Sequence, residues 1–141
     1  MAAEASAAGI RVIVIGEREH PEVAGILGWT NGMGYTVMTE ADINALPEMD
    51  RALVVSQTTM VREVCDHLKE LIGRRVQHMD YHATICPATQ DRQDEAVQIA
   101  SRADVMIIIG GRQSSNSKKL YHLAKRYCER SYFIETAAEL A

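Results

Sequence analysis

The fold of this chain is decided by the stretch Val105-Met106-Ile107-Ile108-Ile109-Gly110-Gly111-Arg112-Gln113-Ser114-Ser115-Asn116-Ser117. Its first part is apolar without alternation, which is typical of a strand that is buried on both faces of a parallel sheet. Two glycines end the strand, and small polar residues then open a helical pattern over 115–128. The order strand, loop, helix is that of an α/β protein.

Similar apolar runs recur along the chain and are separated by helical patterns. The runs cover 12–15, 35–38, 52–55 and 132–134, and further helical patterns cover 61–72 and 91–102. The segment 74–84 is polar and shows neither helical nor strand periodicity, so we place a boundary near 73–82. The prediction is an α/β fold of two small parallel-sheet units with helices on both faces, one at 1–77 and one at 78–141.

Composition and charge exclude several classes of function. The 141 residues carry a formal net charge of -4 with both signs interspersed, and only 5% of them are aromatic, which argues against binding of nucleic acid. No apolar run approaches the roughly 20 residues that span a bilayer. The start lacks the basic and apolar regions of a signal peptide, so we expect a cytoplasmic protein that does not bind membranes.

The cysteines do not form a self-contained site. Cys65, Cys86 and Cys128 are an odd set without close spacing, which predicts neither a disulfide framework nor a complete zinc or iron–sulfur site. Cys65 and Cys128 fall in helical patterns and are expected in the core. Cys86 precedes Pro87 and a predicted helix start, where the positive end of the helix would favour a thiolate ligand; a small buried residue is the alternative.

Polar motifs follow three of the predicted strands, where ligands bind in parallel sheets. Ser114, Ser115 and Asn116 offer hydroxyl, amide and backbone N–H groups at a helix start, as phosphate sites do, although Ser114 or Ser115 could simply cap the helix. Thr58 follows the strand at 52–55 and is either a helix cap or a ligand-binding residue. The remaining motif is the pair His20 and Glu22.

His20 and Glu22 lie on either side of Pro21, just after the first strand. An imidazole can hold an oxyanion and a carboxylate can relay protons, but the spacing alone favours a solvated turn fixed by the proline. The other histidines lack the spacing of metal ligands and are interpreted as surface or loop residues. They are His67, His78, His82 and His122.

At these motifs the chain closely resembles the IspH/LytB family of 4-hydroxy-3-methylbut-2-enyl diphosphate reductases, oxidoreductases of the non-mevalonate isoprenoid pathway. The matching motifs occur in the family's order and spacing. They are His20-Pro21-Glu22-Val23 with Gly25, Gln57-Thr58-Thr59, Ile85-Cys86 with Ala88-Thr89 and Arg92-Gln93, and Ser114-Ser115-Asn116-Ser117.

The resemblance implies a role for each site residue. Cys86 would be one of three cysteine ligands of a [4Fe–4S] cluster, and Glu22 would serve the proton relay. The remaining residues, His20, Thr58, Ser114, Ser115 and Asn116, would bind the diphosphate substrate. The family also implies three similar α/β units around the cluster, and a ferredoxin or flavodoxin as electron donor.

The chain departs from the family pattern at several points. It has no counterpart of the family's N-terminal unit or of the cysteine in a Thr-Cys-Pro motif, and it ends before a Thr-Ala-Gly motif. Ala24 stands where many members carry Glu. We therefore expect part of the second and most of the third unit of the reductase, inactive alone.

Two other functions are alternatives to the reductase. One is a separate α/β module that binds a phosphorylated small molecule without redox chemistry. The other is a dinucleotide-binding domain, which the sequence disfavours because the charged segment Gly16-Glu17-Arg18-Glu19 replaces the glycine-rich turn after the first strand.

Overall fold

A computed structural model describes residues 1–140, which alternate between helices and parallel strands. The elements are α1 (Ala2–Ala7), β1 (Arg11–Ile15), α2 (Pro21–Gly28), β2 (Gly34–Val37), α3 (Glu40–Asn44), β3 (Met49–Ser56), α4 (Arg62–Gly73), β4 (Val76–His82), α5 (Pro87–Ala100), β5 (Met106–Ile109), α6 (Ser115–Tyr127), β6 (Ser131–Ile134) and a short 3-10 helix (Ala137–Leu140). The predicted alternation of strands and helices is confirmed.

The chain folds as two compact units, Met1–Ile85 and a second that begins at Cys86. The division therefore falls later than the predicted boundary at 77/78. The reason is β4, which pairs in parallel with β3 and belongs to the first sheet. The sequence pattern predicts no strand in this segment, because polar residues such as Gln77, His78 and Asp80 interrupt the apolar run of this edge strand.

The first unit is a four-stranded parallel sheet in the order β2-β1-β3-β4, with helices on both faces. On one face Ile13, Ile15 and Val54 pack with residues of α3 and α4. On the other, Val12 and Val14 pack against α1 and α2. Because β1 is covered on both faces, it has a continuous Val/Ile sequence.

The second unit contains a two-stranded parallel sheet, β5-β6, with Ile108 packed against Ala124 and Cys128 beside α6. The opposite face differs from the prediction, because Ile107 is 43% exposed and Ile109 is 72% exposed. Within residues 1–140, helices cover both faces of the first sheet but only one face of the second.

The hydrogen bonds of Asp42 make the stability of the first unit depend on pH. Asp42 Oδ2 accepts hydrogen bonds from the N–H of Met38 at 2.9 Å and from the N–H and hydroxyl of Thr39 at 2.8 Å each. These bonds, the one from Met38 first, hold the pKa of the Asp42 carboxyl below its ordinary value. The native state is therefore stabilised above the unfolded pKa of about 3.9, and this stabilisation is lost as the pH falls through the native pKa.

We predict that Asp42→Ala lowers the free energy of unfolding by about 0.5–1 kcal/mol at pH 7, a small loss because the group is exposed. The difference from wild type should narrow below about pH 4. Urea unfolding at pH 7 and pH 3 measures both values. Glu40→Ala, an exposed carboxylate in the same helix turn, is the control; an equal and pH-independent loss in both variants would contradict the prediction.

Candidate functional site

The candidate site of the first unit lies at the carboxyl ends of two neighbouring strands, β1 and β3. The two strands pair in parallel up to Ile15 and Ser56, and the N–H of Gln57 continues the pairing by donating to the carbonyl of Ile15 at 2.8 Å. The loops that follow therefore start side by side. One leads into α2 and the other into α4.

Glu22, in the first turn of α2, is joined to Thr58 by two hydrogen bonds. Its Oε1 accepts from the backbone N–H of Thr58 and its Oε2 from the Thr58 hydroxyl, both at 2.8 Å. Thr58 does not cap α4, because Val61 is the N-cap and no side chain bonds there. The interpretation of Thr58 as a helix cap is therefore wrong. The structure brings Glu22 and Thr58 together instead.

His20 begins α2 as its N-cap, and its Nδ1 accepts from the N–H of Glu22 at 3.2 Å. Since Nδ1 is an acceptor, the neutral ring carries its proton on Nε2, which is free to donate to an oxygen. Pro21 occupies the first helical turn, where its fixed backbone angle suits the helix. The solvated-turn interpretation is replaced by a capped helix start that holds His20 beside Glu22.

In the second unit, Ser114 is the N-cap of α6, as one of the two interpretations expected. Its Oγ accepts from the N–H of Ser117 at 3.2 Å, and the Ser117 hydroxyl lies 3.0 Å from it. The Ser117 side chain packs so closely on Gly110 that a Cβ there would collide with it. The glycine therefore allows the strand end to approach the first turn of the helix.

The next two residues, Ser115 and Asn116, lie in the same turn of α6. Ser115 Oγ accepts from the ammonium of Lys119 at 2.7 Å. Asn116 Oδ1 is buried and has no hydrogen-bond partner among residues 1–140, and a half-turn of the amide would present its donor in the same place. The sequence motifs do not single out Lys119, although its spacing of four from Ser115 places the two on one helix face.

Cys86 is the N-cap of α5 and is half-buried, whereas Cys65 and Cys128 are buried as expected for core residues. The Cys86 thiol can serve as one thiolate ligand of an iron–sulfur cluster. Within residues 1–140 no group of three or more His, Cys, Asp or Glu side chains is placed to hold a metal ion. The described residues therefore fit one ligand position and not a whole cluster.

The sequence profile of the protein family described as "LytB protein" matches residues 1–141. The chain belongs to the LytB family. The motifs that carry the resemblance lie throughout the matched length, so the family assignment made from the sequence is confirmed.

Curated LytB relatives support the assignment. A 4-hydroxy-3-methylbut-2-enyl diphosphate reductase of Thermoanaerobacter sp. (strain X514) is 38% identical over 132 residues, which is 94% of this chain and 46% of the relative. A protein of the same name from Opitutus terrae is 41% identical over 134 residues, again 94% of this chain and 46% of the relative. The chain thus spans about half the length of the curated relatives it matches.

Solved LytB-type structures agree with the fold. One, the structure of (E)-4-hydroxy-3-methyl-but-2-enyl diphosphate reductase, "the Terminal Enzyme of the Non-Mevalonate Pathway", is 38% identical with a TM-score of 0.60, covering 99% of this chain and 51% of its own. The E-1-hydroxy-2-methyl-but-2-enyl-4-diphosphate reductase of Plasmodium falciparum has a TM-score of 0.87 at 23% identity, covering 98% and 46%. The latter likeness concerns the fold alone.

No helix within residues 1–140 has the length and apolar character needed to cross a bilayer.

We predict that Glu22 and Thr58 are energetically coupled. In a double-mutant cycle with Glu22→Ala and Thr58→Val, the coupling free energy should be about 1–2 kcal/mol, because each single change already removes the hydroxyl–carboxylate bond. Urea unfolding of the four proteins gives the value. The control pair is Glu22→Ala with Thr30→Val, whose buried hydroxyl bonds to the Leu27 carbonyl. Additive effects of Glu22→Ala and Thr58→Val, as expected for the control pair, would contradict the prediction.

Proposed function

We propose that this chain is part of a LytB-type reductase that removes the allylic hydroxyl of (E)-4-hydroxy-3-methylbut-2-enyl diphosphate, giving isopentenyl and dimethylallyl diphosphate. The observation that carries the proposal is the Glu22 carboxylate held by the N–H and hydroxyl of Thr58. In the reaction a C–O bond breaks, a C–H bond forms, and the hydroxyl leaves as water with two electrons and two protons taken up. The substrate therefore needs a proton donor near its hydroxyl.

Glu22 and Thr58 suit this requirement chemically. A carboxyl group can give up a proton, and the Thr58 hydroxyl that touches it can pass a proton between the carboxyl and a substrate oxygen. His20, with its donor on Nε2, lies at the start of the same helix and can bind an oxygen of the substrate. We assign proton transfer to Glu22 and substrate contact to Thr58 and His20.

The diphosphate is assigned to the first turn of α6. Backbone N–H groups at a helix start attract anions, and this start also offers Ser114, Ser115 and the unpartnered amide of Asn116. Lys119 adds a positive charge beside Ser115. Together these groups match a polyanion better than a neutral ligand.

We propose a [4Fe–4S] cluster as cofactor, with Cys86 as one ligand and the remaining ligands in other parts of the whole protein. When bound, the cluster would supply the electrons for the reduction. An external electron donor must then reduce the cluster again. We propose a ferredoxin or flavodoxin in the cytoplasm. The two units, Met1–Ile85 and the one that begins at Cys86, would correspond to the second and third units of the reductase.

The first test of the function uses Glu22→Gln in a complete LytB-family reductase at the position that matches Glu22. The amide keeps the shape and removes the acid, so turnover should fall about 10²-fold or more while substrate binding and iron content stay near wild type. Steady-state kinetics, substrate titration and iron analysis give these values.

Glu19→Gln is the matched control, because Glu19 is an exposed carboxylate on the loop before His20. Its turnover should be unchanged. Wild-type turnover of the Glu22→Gln enzyme would remove Glu22 from the proton pathway.

The second test addresses the anion site in the 141-residue chain itself. Titration with inorganic diphosphate should shift the backbone amides of 111–117, with a dissociation constant on the order of millimolar because contacts from the rest of the whole protein are missing. Asn116→Ala should weaken this binding severalfold by removing one of its few donors. Lys69→Ala, a cation of the first unit, is the control. Shifts elsewhere with silent 111–117 amides would refute the site.

A further inference from the structure

Gln57 is the most completely buried polar side chain of the candidate site and directly precedes Thr58 of the Glu22–Thr58 pair. It is 0% exposed. Its N–H donates to the Ile15 carbonyl at 2.8 Å and its carbonyl accepts from the N–H of Met60 at 3.1 Å. A buried amide carries a large desolvation cost, so its side-chain bonds are expected to matter.

The side chain of Gln57 connects the two loops of the site. Its Oε1 accepts from the backbone N–H of Glu17 at 3.0 Å, on the loop after β1. Its Nε2 donates to the hydroxyl of Thr59 at 2.8 Å, on the loop after β3. The first loop leads into α2, which has Glu22 in its first turn, and the second loop carries Thr58, so one amide joins the two segments whose meeting forms the pair.

The neighbouring backbone is shaped around this amide. At Gly16 an added Cβ would lie 2.9 Å from Gln57 Cβ, 3.0 Å from Gln57 Oε1 and 2.8 Å from Val23 Cγ2. The distances to Gln57 Cβ and Val23 Cγ2 are shorter than real Cβ contacts, so a side chain at Gly16 would force Gln57 or Val23 to move. The loop after β1 thus has a glycine where the amide needs space.

We infer that Gln57 is a positioning residue, which sets the distance between the two loops so that the Glu22 carboxylate meets both the N–H and the hydroxyl of Thr58. The role rests on the proposed function, because it serves the pair to which proton transfer is assigned. Without the amide, the Glu17 N–H loses its bond to Oε1 and the Thr59 hydroxyl loses its bond from Nε2. The loops then open locally while the sheet below remains folded.

The test is hydrogen exchange of backbone amides in the 141-residue chain. Gln57→Met keeps the volume of the side chain and removes the hydrogen bonds that the amide makes to the Glu17 N–H and to the Thr59 hydroxyl. The Thr58 amide, which donates to Glu22, should exchange about tenfold faster relative to the amide of Val54 in the core of β3, which reports unfolding of the whole unit. Thr59→Val, which removes the hydroxyl that accepts from Nε2, should give a smaller change of the same kind and serves if Gln57→Met fails to fold.

Thr30→Val is the matched control, since Thr30 is also buried in the first unit and bonds to the Leu27 carbonyl. It should accelerate Thr58 and Val54 together. The inference is overturned if Gln57→Met and Thr59→Val change the ratio of Thr58 to Val54 no more than Thr30→Val does. This readout needs no turnover, so a selective opening at Thr58 combined with full activity of the Glu22→Gln reductase would reject the proposed proton role and keep the role of Gln57.

Discussion

The hydrogen-bonded contact between Glu22 and Thr58 is the interaction on which the candidate site depends. It joins residues separated by 36 positions in sequence and exists because β1 and β3 are parallel neighbours whose carboxyl ends open side by side. His20 caps the start of α2, which carries the Glu22 carboxylate. The buried amide of Gln57 joins the loops that follow β1 and β3. The sheet therefore supplies the position of the pair, and the loops supply its chemistry.

Much of the fold could be predicted from the sequence, for a physical reason. A strand covered on both faces needs an unbroken apolar run, and β1 has one. The edge strand β4 was not predicted, because His78 and Asp80 are exposed there and need no desolvation. Polar residues at these positions interrupt the apolar run by which a strand is recognised. The open face of β5, with Ile107 exposed, was also missed, because an apolar run shows what a strand could bury and not what lies against it.

The candidate site was predictable residue by residue but not in its contacts. The residue types at His20, Glu22 and Thr58 indicated polar chemistry at strand ends, yet each also suited a local cap or turn. The structure shows that His20 is a cap and Thr58 is not. Local patterns cannot distinguish a hydroxyl that bonds within its own turn from one that bonds across the sheet. The contacts of Gln57 also depend on how the two loops fold together, and the contact of Lys119 with Ser115 depends on helix geometry.

The most direct measurement of the central claim is the through-hydrogen-bond scalar coupling between the Thr58 amide nitrogen and the side-chain carboxyl carbon of Glu22, by NMR on the isotope-labelled chain. The structure predicts a cross-peak that joins these two nuclei. The backbone bond from Gln57 to the Ile15 carbonyl, of equal length at 2.8 Å, provides an internal reference. A visible coupling from Gln57 to Ile15, together with none from Thr58 to the Glu22 carboxyl and rapid exchange of the Thr58 amide, would contradict the account.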